Sequence, residues 1–165
     1  MYKFMIDESN EEYDIYVNCI SSPAGLYLSR RPYVYALIRE ALSSHKLHGQ
    51  RIVIEQNMGR NIGTTDIVST TDKDTIYYAR PLKSEVFSRF AKNRYPKISN
   101  MLTVIAERDA DGDYEITNIW IGNKHPEFPG DKYATTDSRE YWETHALVQD
   151  AQVIQSKSLT KVCPY

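Results

Sequence analysis

Two β-patterned runs joined by a short acidic turn constrain the fold of this chain most strongly. The first run covers residues 101–108, and the second covers residues 114–121 with alternating polarity. The turn between them contains Gly112, which can take the positive φ that a tight hairpin turn requires. The pattern therefore predicts an antiparallel β-hairpin built from two long strands.

A strong helix is predicted well before this hairpin, in the segment that begins at Pro32. Proline suits the first helical position because its missing N–H would be unpaired there in any residue. The helix is expected to fade near residues 43–45 and to stop by Gly49. Its apolar stripe consists of Val34, Leu37, Ile38, Ala41 and Leu42.

The remaining pattern consists of short strands, turns and a second, smaller helix. Strands are predicted at 13–20, 51–55, 75–79 and 146–148, a strand or loop at 66–70, a turn at 21–25, and one helical turn at 84–90. The small helix is predicted at 138–145, with Ser138 as its N-cap. This order predicts an α+β fold in one domain spanning residues 1–165. Its N-terminal helix packs on a mainly antiparallel sheet of four to six strands, and the small helix is C-terminal.

Charge and composition narrow the class of protein. The net charge of −2 argues against a protein that coats DNA non-specifically, because such proteins are basic overall. Thirteen of the nineteen aromatic residues are tyrosine, which is typical of a partly polar core edge or a binding surface. The chain has no apolar run of membrane-spanning length and no signal-peptide pattern at its acidic start. We therefore expect a cytoplasmic protein with no membrane partner, while export without a cleaved signal stays open.

Neither cysteine spacing nor any acidic motif predicts a metal site. Cys19 and Cys163 are expected to be buried free thiols, and they could pair only if the N-terminal strand met the C-terminal tail. The chain contains no His-Glu-x-x-His or Cys-x-x-Cys pattern, so no metal and no cofactor are predicted. Residues 109–113 carry the acids of a calcium loop, but β-runs flank them instead of two helices.

The strongest candidate for a binding site is the basic segment at residues 89–94. From Tyr77 to Tyr95 a single acid, Glu85, stands among five cations. Guanidinium and ammonium groups donate charge-assisted hydrogen bonds to phosphate, and neighbouring aromatic rings can stack on bases. Such a run is more often an ordinary solvated surface, and both interpretations stay open. The candidate substrate-binding residues are Arg80, Arg89, Phe90 and Tyr95, and the candidate catalytic cations are Lys92 and Arg94.

Histidines and threonines elsewhere could complete a catalytic set. His45 and His48 are three residues apart at the predicted helix end, where a histidine can act as general acid or base or can bind the exposed carbonyls. Thr103 and Thr117 fall on the two strands of the hairpin. Their hydroxyls could bind a scissile phosphate, or the residues could be there for β-propensity alone.

The order of these features resembles the metal-independent ribonuclease toxin superfamily that includes barnase, EndoU, colicin ribonucleases and RelE. The resemblance covers about residues 32 to 122, with the hairpin form Leu-Thr-Val-Ile, Asp-Gly-Asp-Tyr-Glu-Ile and Trp-Ile-Gly. It implies a helical element beside an antiparallel sheet that cuts RNA with a scattered polar set. His45 or His48 then corresponds to the helix-end histidine, Lys92 and Arg94 to the cations, and Thr103 or Thr117 to the sheet hydroxyl.

Nearly the whole chain also resembles proteins of unassigned function from small-genome bacteria of the Saccharibacteria type. The shared features are Arg-Phe-x-Lys-Asn at 89–93, Trp-Ile-Gly at 120–122, Tyr-Trp-x-x-His-Ala at 141–146 and the final Cys-Pro-Tyr. This second resemblance implies no function.

Two functional hypotheses follow from the sequence. The first is a metal-independent endoribonuclease-like domain that cleaves RNA through attack of the 2′-OH, with Lys92 and Arg94 stabilising charge on the phosphate. The alternative is a non-enzymatic interaction module whose Tyr-rich surface and 122–137 loop hold a protein partner or inhibitor. The near-neutral charge favours the alternative, and the acid-poor stretch at residues 77–95 favours the first.

Overall fold

The computed structural model of the protein describes residues 2–4, 13–18, 22–148 and 154–165. The described strands are β1 (Tyr2–Phe4), β2 (Ile15–Val17), β3 (Arg51–Asn57), β4 (Gly63–Thr65), β5 (Ile67–Ser69), β6 (Ile76–Ala79), β7 (Ser88–Ala91), β8 (Lys97–Ser99), β9 (Met101–Arg108), β10 (Tyr114–Ile121) and β11 (His145–Val148). The described α-helices are α1 (Pro23–Arg30), α2 (Val34–Ser43) and α3 (Thr136–Thr144), and a 3₁₀ turn covers Ser156–Ser158. The predicted α+β class with mostly antiparallel sheets is confirmed.

The chain divides into two compact units, each assembled from two separate stretches of sequence. Unit 1 comprises residues 1–62 and 100–123, and unit 2 comprises residues 63–99 and 124–165. The sequence predicts one domain, and the structure divides the chain into these two compact units.

Unit 1 is a five-stranded sheet with α1 and α2 against it. The strand order is β1-β2-β10-β9-β3, and only the β2/β10 pair is parallel. The predicted hairpin of β9 and β10 forms its centre, and its turn closes where the Asp109 amide donates to the Asp113 carbonyl. The predicted stripe of α2 is buried in the same core as the sheet residues. Tyr27 of α1 accepts a hydrogen bond from the Ile121 amide, which fixes α1 to β10.

Unit 2 contains a four-stranded sheet and a two-stranded ribbon. The order of the larger sheet is β5-β11-β7-β6, with β11 and β7 parallel, and the ribbon pairs β4 with β8. The stretch around the 3₁₀ turn follows the outer edge of β6, where Tyr78 and Thr160 exchange two backbone hydrogen bonds. This short stretch satisfies backbone groups that an open sheet edge would leave unpaired.

Three local predictions are wrong. Residues 23–25, predicted as part of a turn, begin helix α1, because the Ser22 hydroxyl caps the Gly25 amide and Pro23 occupies the first turn. Residues 84–90 do not form a helical turn, since β7 begins at Ser88 and pairs with β6. Helix α3 begins earlier than expected: Thr135 is its N-cap, and Ser138 completes a capping box at the third helical position.

Some expectations concern segments that the structure leaves out. Cys19 and the end of the strand predicted at 13–20 lie outside the described residues. The expectation that Cys163 is buried is wrong, because this free cysteine is exposed. Among the described helices, none is both long and apolar enough to cross a membrane.

Candidate nucleic-acid interface

The residues singled out from the sequence fall into both units. Unit 1 carries the histidines and threonines, which are His45, His48, Thr103 and Thr117. Unit 2 carries the cations and aromatics, which are Arg80, Arg89, Phe90, Lys92, Arg94 and Tyr95. Several of the unit 2 residues lie on one short stretch of chain between β7 and β8.

The most exposed aromatic residue of the described chain is Tyr95, whose relative exposure is 84 %. It lies between Lys92 and Lys97, both of which are exposed. We call residues 92–98 the 92–98 surface. Ile98 of β8, 72 % exposed, belongs to it as well. Surfaces that bind unpaired bases by stacking typically combine a solvent-exposed aromatic ring with neighbouring cations.

The connection that carries Tyr95 is fixed at several points. The Lys92 amide donates to the Thr75 carbonyl at 3.0 Å, and Asn93 takes a left-handed φ of 58°. The Arg94 guanidinium donates to both carboxylate oxygens of Asp74 at 3.0 Å and to the Ser69 carbonyl at 3.0 Å. Asparagine tolerates the left-handed conformation better than most residues, so the turn fits its sequence.

The Asp74 carboxylate is the acidic partner of this surface. A hydrogen bond from the Thr71 amide lowers its pKa first, and the bond from Arg94 lowers it further. Asp74 is therefore ionised at neutral pH, and it partly neutralises Arg94. Lys92 and Lys97 form no ion pair with another described residue, although the Lys92 ammonium lies 5.7 Å from the centre of the Tyr77 ring.

Arg89 and Phe90, adjacent in sequence, have different environments. Arg89 is half-buried, and its Nη1 donates to Thr70 Oγ1 at 2.8 Å and to the His145 carbonyl at 2.9 Å. Phe90 is fully buried, and its ring stacks on Tyr77 with centroids 5.2 Å apart. The expectation that Phe90 stacks on a base therefore does not fit this structure, because its ring is already packed in the core.

Arg80 is also half-buried. Its guanidinium carbon lies 5.6 Å from the centre of the Phe87 ring, and its backbone amide donates to the Ser158 hydroxyl. These contacts place Arg80 on the β6 edge, where it packs against unit 2 itself.

In unit 1 the predicted helix-end histidine makes a contact with the helix end. His45 Nδ1 lies 2.8 Å from the Ala41 carbonyl and 3.4 Å from Ser44 Oγ. Since a carbonyl only accepts, Nδ1 carries the proton, and in the neutral ring Nε2 is the basic nitrogen. His48 is exposed beyond the helix. The carbonyl-binding role considered for a histidine here is thus present at His45.

Thr103 and Thr117 lie on β9 and β10, as their sequence positions predict. Thr103 is fully buried, and its hydroxyl donates to the Gly122 carbonyl at 3.0 Å, so it holds the strand end together and is not presented to a ligand. Thr117 occupies a β-bulge between Ile116 and Asn118, where its hydroxyl reaches the Ile105 carbonyl at 3.4 Å.

Sequence reasoning missed three residues that the structure brings to these sites. Lys97 extends the acid-free run between Glu85 and Glu107, and that run could have revealed it. Tyr78 and Tyr165 meet edge to face with centroids 5.9 Å apart, and no local pattern links positions so distant in sequence.

Within the described residues, no group of three or more His, Cys, Asp or Glu side chains is placed to hold a metal ion. Comparisons of the chain with protein-family models, with curated proteins and with solved structures find no match. The resemblance to the ribonuclease superfamily therefore stays a hypothesis that depends on the residues themselves.

Proposed function

We propose that the protein binds single-stranded RNA through the 92–98 surface of unit 2. The observation that carries the proposal is the exposure of Tyr95. Its relative exposure is 84 %, and it lies between Lys92 and Lys97 on a segment that hydrogen bonds hold in place. Stacking of a base on such a ring contributes about 1–3 kcal/mol and tolerates any base, since every base has a π-face. The cations on either side would attract the flanking phosphates.

Local charge supports binding of RNA although the whole chain is slightly acidic. No acid occurs between Glu85 and Glu107, and the nearby Asp74 carboxylate is paired with Arg94. The surface thus keeps a positive excess from Lys92 and Lys97. Because phosphate neutralisation releases counterions, the affinity should fall steeply as salt is raised.

The reaction assigned to the bound strand is metal-independent cleavage. The 2′-OH loses its proton and attacks the adjacent phosphate, the bond from phosphorus to the 5′-oxygen breaks, and the 5′-oxygen leaves as a hydroxyl after it takes up a proton. Lys92 and Arg94 support this assignment because they share the surface of Tyr95, where they would stabilise charge on the phosphorane oxygens.

Binding is tested by fluorescence anisotropy with a labelled uridine oligomer of about 12 nucleotides, a length within the range of single-strand sites. Tyr95→Ala should weaken binding about tenfold, the effect of losing one stacked base. Tyr133→Ala removes another exposed tyrosine of unit 2, outside the 92–98 surface, and should bind as the unchanged protein does. Equal affinity of the Tyr95→Ala protein and the unchanged protein would exclude this surface.

Cleavage is tested with the same oligomer in EDTA, and the products are examined for a 2′,3′-cyclic phosphate end. Lys92→Ala and Arg94→Ala should each reduce the rate. Asp74→Asn is the matched control for Arg94, because it removes the ion pair and keeps the guanidinium. Full activity in both cation variants would remove these residues from the mechanism, and binding without cleavage would limit the function to RNA binding.

A protein-interaction module is the second candidate, and one observation favours it specifically. Ile98 and Val162 are 72 % and 75 % exposed, and an exposed aliphatic side chain contributes little to a phosphate-bearing ligand. Ile98→Ser distinguishes the candidates: RNA affinity should be nearly unchanged, whereas a protein complex centred on this ribbon should be lost.

A further inference from the structure

A second group of polar side chains in unit 2 is distinct from the 92–98 surface. We call it the Arg89 cluster, and it consists of Tyr78, Arg89 and Tyr165. Arg89 of β7 lies directly opposite Tyr78 of β6, so both side chains project from the same face of the sheet. The Tyr165 ring meets the Tyr78 ring edge-on, with centroids 5.9 Å apart. The three side chains therefore converge from two strands and the tail.

The guanidinium of Arg89 is held in place by contacts within unit 2. Nη1 donates to Thr70 Oγ1 at 2.8 Å and to the His145 carbonyl at 2.9 Å, and a side-chain hydrogen bond also links Arg89 with the Tyr78 hydroxyl. Nε is buried and finds no hydrogen-bond partner among the described residues. In arginine, the edge formed by Nε and Nη2 is one that grips carboxylate or phosphate oxygens in pairs. The bonds at Nη1 hold the planar group in place and so pre-orient this edge.

The Tyr165 hydroxyl is the second buried donor of the cluster. Its oxygen has no hydrogen-bond partner within the described part of the chain. Burial raises the pKa of this hydroxyl well above its usual range, and the neighbouring Tyr78 and Cys163 raise it further. The hydroxyl therefore keeps its proton at neutral pH and can donate. A buried donor without an acceptor is unfavourable, so two such donors in one cluster indicate a shared acceptor.

The charge around the cluster selects the kind of acceptor. Arg89 and Arg139 both act on the Tyr165 hydroxyl with positive charge. The charge of Arg89 acts on the Asp74 carboxylate, but the oxygens of Asp74 are already bonded to Arg94 and to the Thr71 amide. Two cations and phenolic donors suit a dianion with several oxygens better than a carboxylate.

We propose that the Arg89 cluster is a binding site for a phosphate monoester. Two phosphate oxygens would accept from Nε and Nη2 of Arg89, and one oxygen would accept from the Tyr165 hydroxyl. The site does not depend on RNA binding by the 92–98 surface. Its ligand is a small phosphate ester or the terminal phosphate of an RNA strand, which share this chemistry.

The site is tested on the full chain by titrating inorganic phosphate while the arginine Nε–H signals are followed by NMR. The Arg89 signal, identified by its loss in Arg89→Lys, should shift and saturate. Tyr165→Phe removes only the hydroxyl and should weaken phosphate binding about tenfold, as expected for a hydrogen bond to a charged group. Tyr133→Phe, a matched change at an exposed tyrosine, should leave the affinity unchanged.

Several results would overturn the proposal. These are an Arg89 signal that does not move, a Tyr165→Phe protein that binds phosphate as tightly as the unchanged chain, and acetate that binds as well as phosphate. The Tyr165→Phe comparison stands even if Arg89→Lys fails to fold.

The two ligand sources are separated with oligomers carrying a 5′-phosphate or a 5′-hydroxyl, measured in the Tyr95→Ala protein. Tighter binding of the phosphorylated oligomer that is lost in Tyr165→Phe supports the RNA end as the ligand. Equal binding of both oligomers beside saturable phosphate binding supports a small ester. If Tyr95→Ala abolishes RNA binding and leaves phosphate binding intact, the result supports RNA binding by the 92–98 surface and leaves the proposal for the Arg89 cluster standing.

Discussion

Two histidines of this chain owe their tautomer to the end of a helix. His45 follows α2 and His145 follows α3, and each places Nδ1 beside the carbonyl four residues earlier, at 2.8 Å and 2.9 Å. Because the carbonyl only accepts, Nδ1 keeps the proton in both rings. The basic nitrogen of a neutral ring is then Nε2, so the chemistry open to each histidine is set by local backbone geometry.

A third histidine is half-buried among aromatic rings and should make stability depend on pH. His125 lies edge-on to Trp142 with centroids 5.1 Å apart, and its Nδ1 donates to the Pro126 carbonyl. Burial lowers its pKa to about 4 from the usual 6.5, and the charge of His145 acts in the same direction. Between these values the unfolded chain binds the proton more readily, so stability falls as the pH is lowered from 6.5 to about 4.

We therefore expect the loss over this window to reach roughly 3 kcal/mol for His125. His125→Asn keeps a donor in the place of Nδ1 and cannot titrate, so its melting temperature should vary less between the two pH values. His48→Asn, a change at an exposed histidine, should behave as the unchanged protein. An identical pH dependence in His125→Asn would contradict the assignment.

At the scale of the elements, the start of α1 depends on a single hydroxyl group. Ser22 Oγ accepts from the Gly25 amide at 3.0 Å and so satisfies one of the unpaired donors at the start of α1. The same Ser-Pro-Ala-Gly letters also suit a turn, which is why the sequence did not reveal the helix. The segment is a helix because Tyr27 and Leu28 are buried in the core of unit 1. A local sequence pattern cannot reveal this tertiary packing.

Ser22→Ala should lower the free energy of unfolding by about 1 kcal/mol, the usual cost of losing an N-cap. Urea unfolding followed by circular dichroism measures this loss. Ser29→Ala, an exposed serine of the same helix, should change stability by less than about 0.5 kcal/mol. Equal losses in the two variants would show that the Ser22 hydroxyl does not act as a cap.

The long elements could be predicted from the sequence, whereas the partners of the site residues could not. Alternation and β-propensity identified the strands at 101–108 and 114–121, and helical spacing identified α2. The prediction for residues 84–90 is wrong because the spacing of Val86, Phe87 and Phe90 also fits one helical turn. Pairing with β6 makes the end of this stretch a strand. Arg94 could be recognised as a cation, but its partner Asp74 lies 20 residues away and only folding brings them together.

At the scale of the whole molecule, residues 59–99 leave and rejoin unit 1 at neighbouring strand ends. The last pair of the β3/β9 ladder is Asn57 with Met101, and the Met58 amide then donates to the Asn100 carbonyl at 2.8 Å. Most of what lies between them belongs to unit 2. Within the unit 1 sheet, β3 and β9 thus form an antiparallel pair joined by a very long connection. The entropic cost of closing such a loop grows only slowly with its length.

Unit 1 should therefore fold without the sequence of unit 2. A chain that joins residues 1–62 to residues 100–123 through a flexible Gly-Ser linker contains every described strand of the five-stranded sheet. We expect a cooperative thermal transition and dispersed amide signals. The fragment 63–99 is the matched comparison and should show neither, because it lacks β11. A joined chain without a cooperative transition would show that unit 1 needs unit 2.

The position of β11 has a consequence for synthesis on the ribosome. It lies between β5 and β7 in the four-stranded sheet, although it follows both of them by more than fifty residues in the chain. The described strands of unit 1 have all been made once Ile121 has emerged, so that sheet can close first. The nascent β5 and β7 must meanwhile wait with their facing edges unpaired until His145–Val148 arrives. The interval before that arrival is when this chain most needs protection from edge-to-edge association.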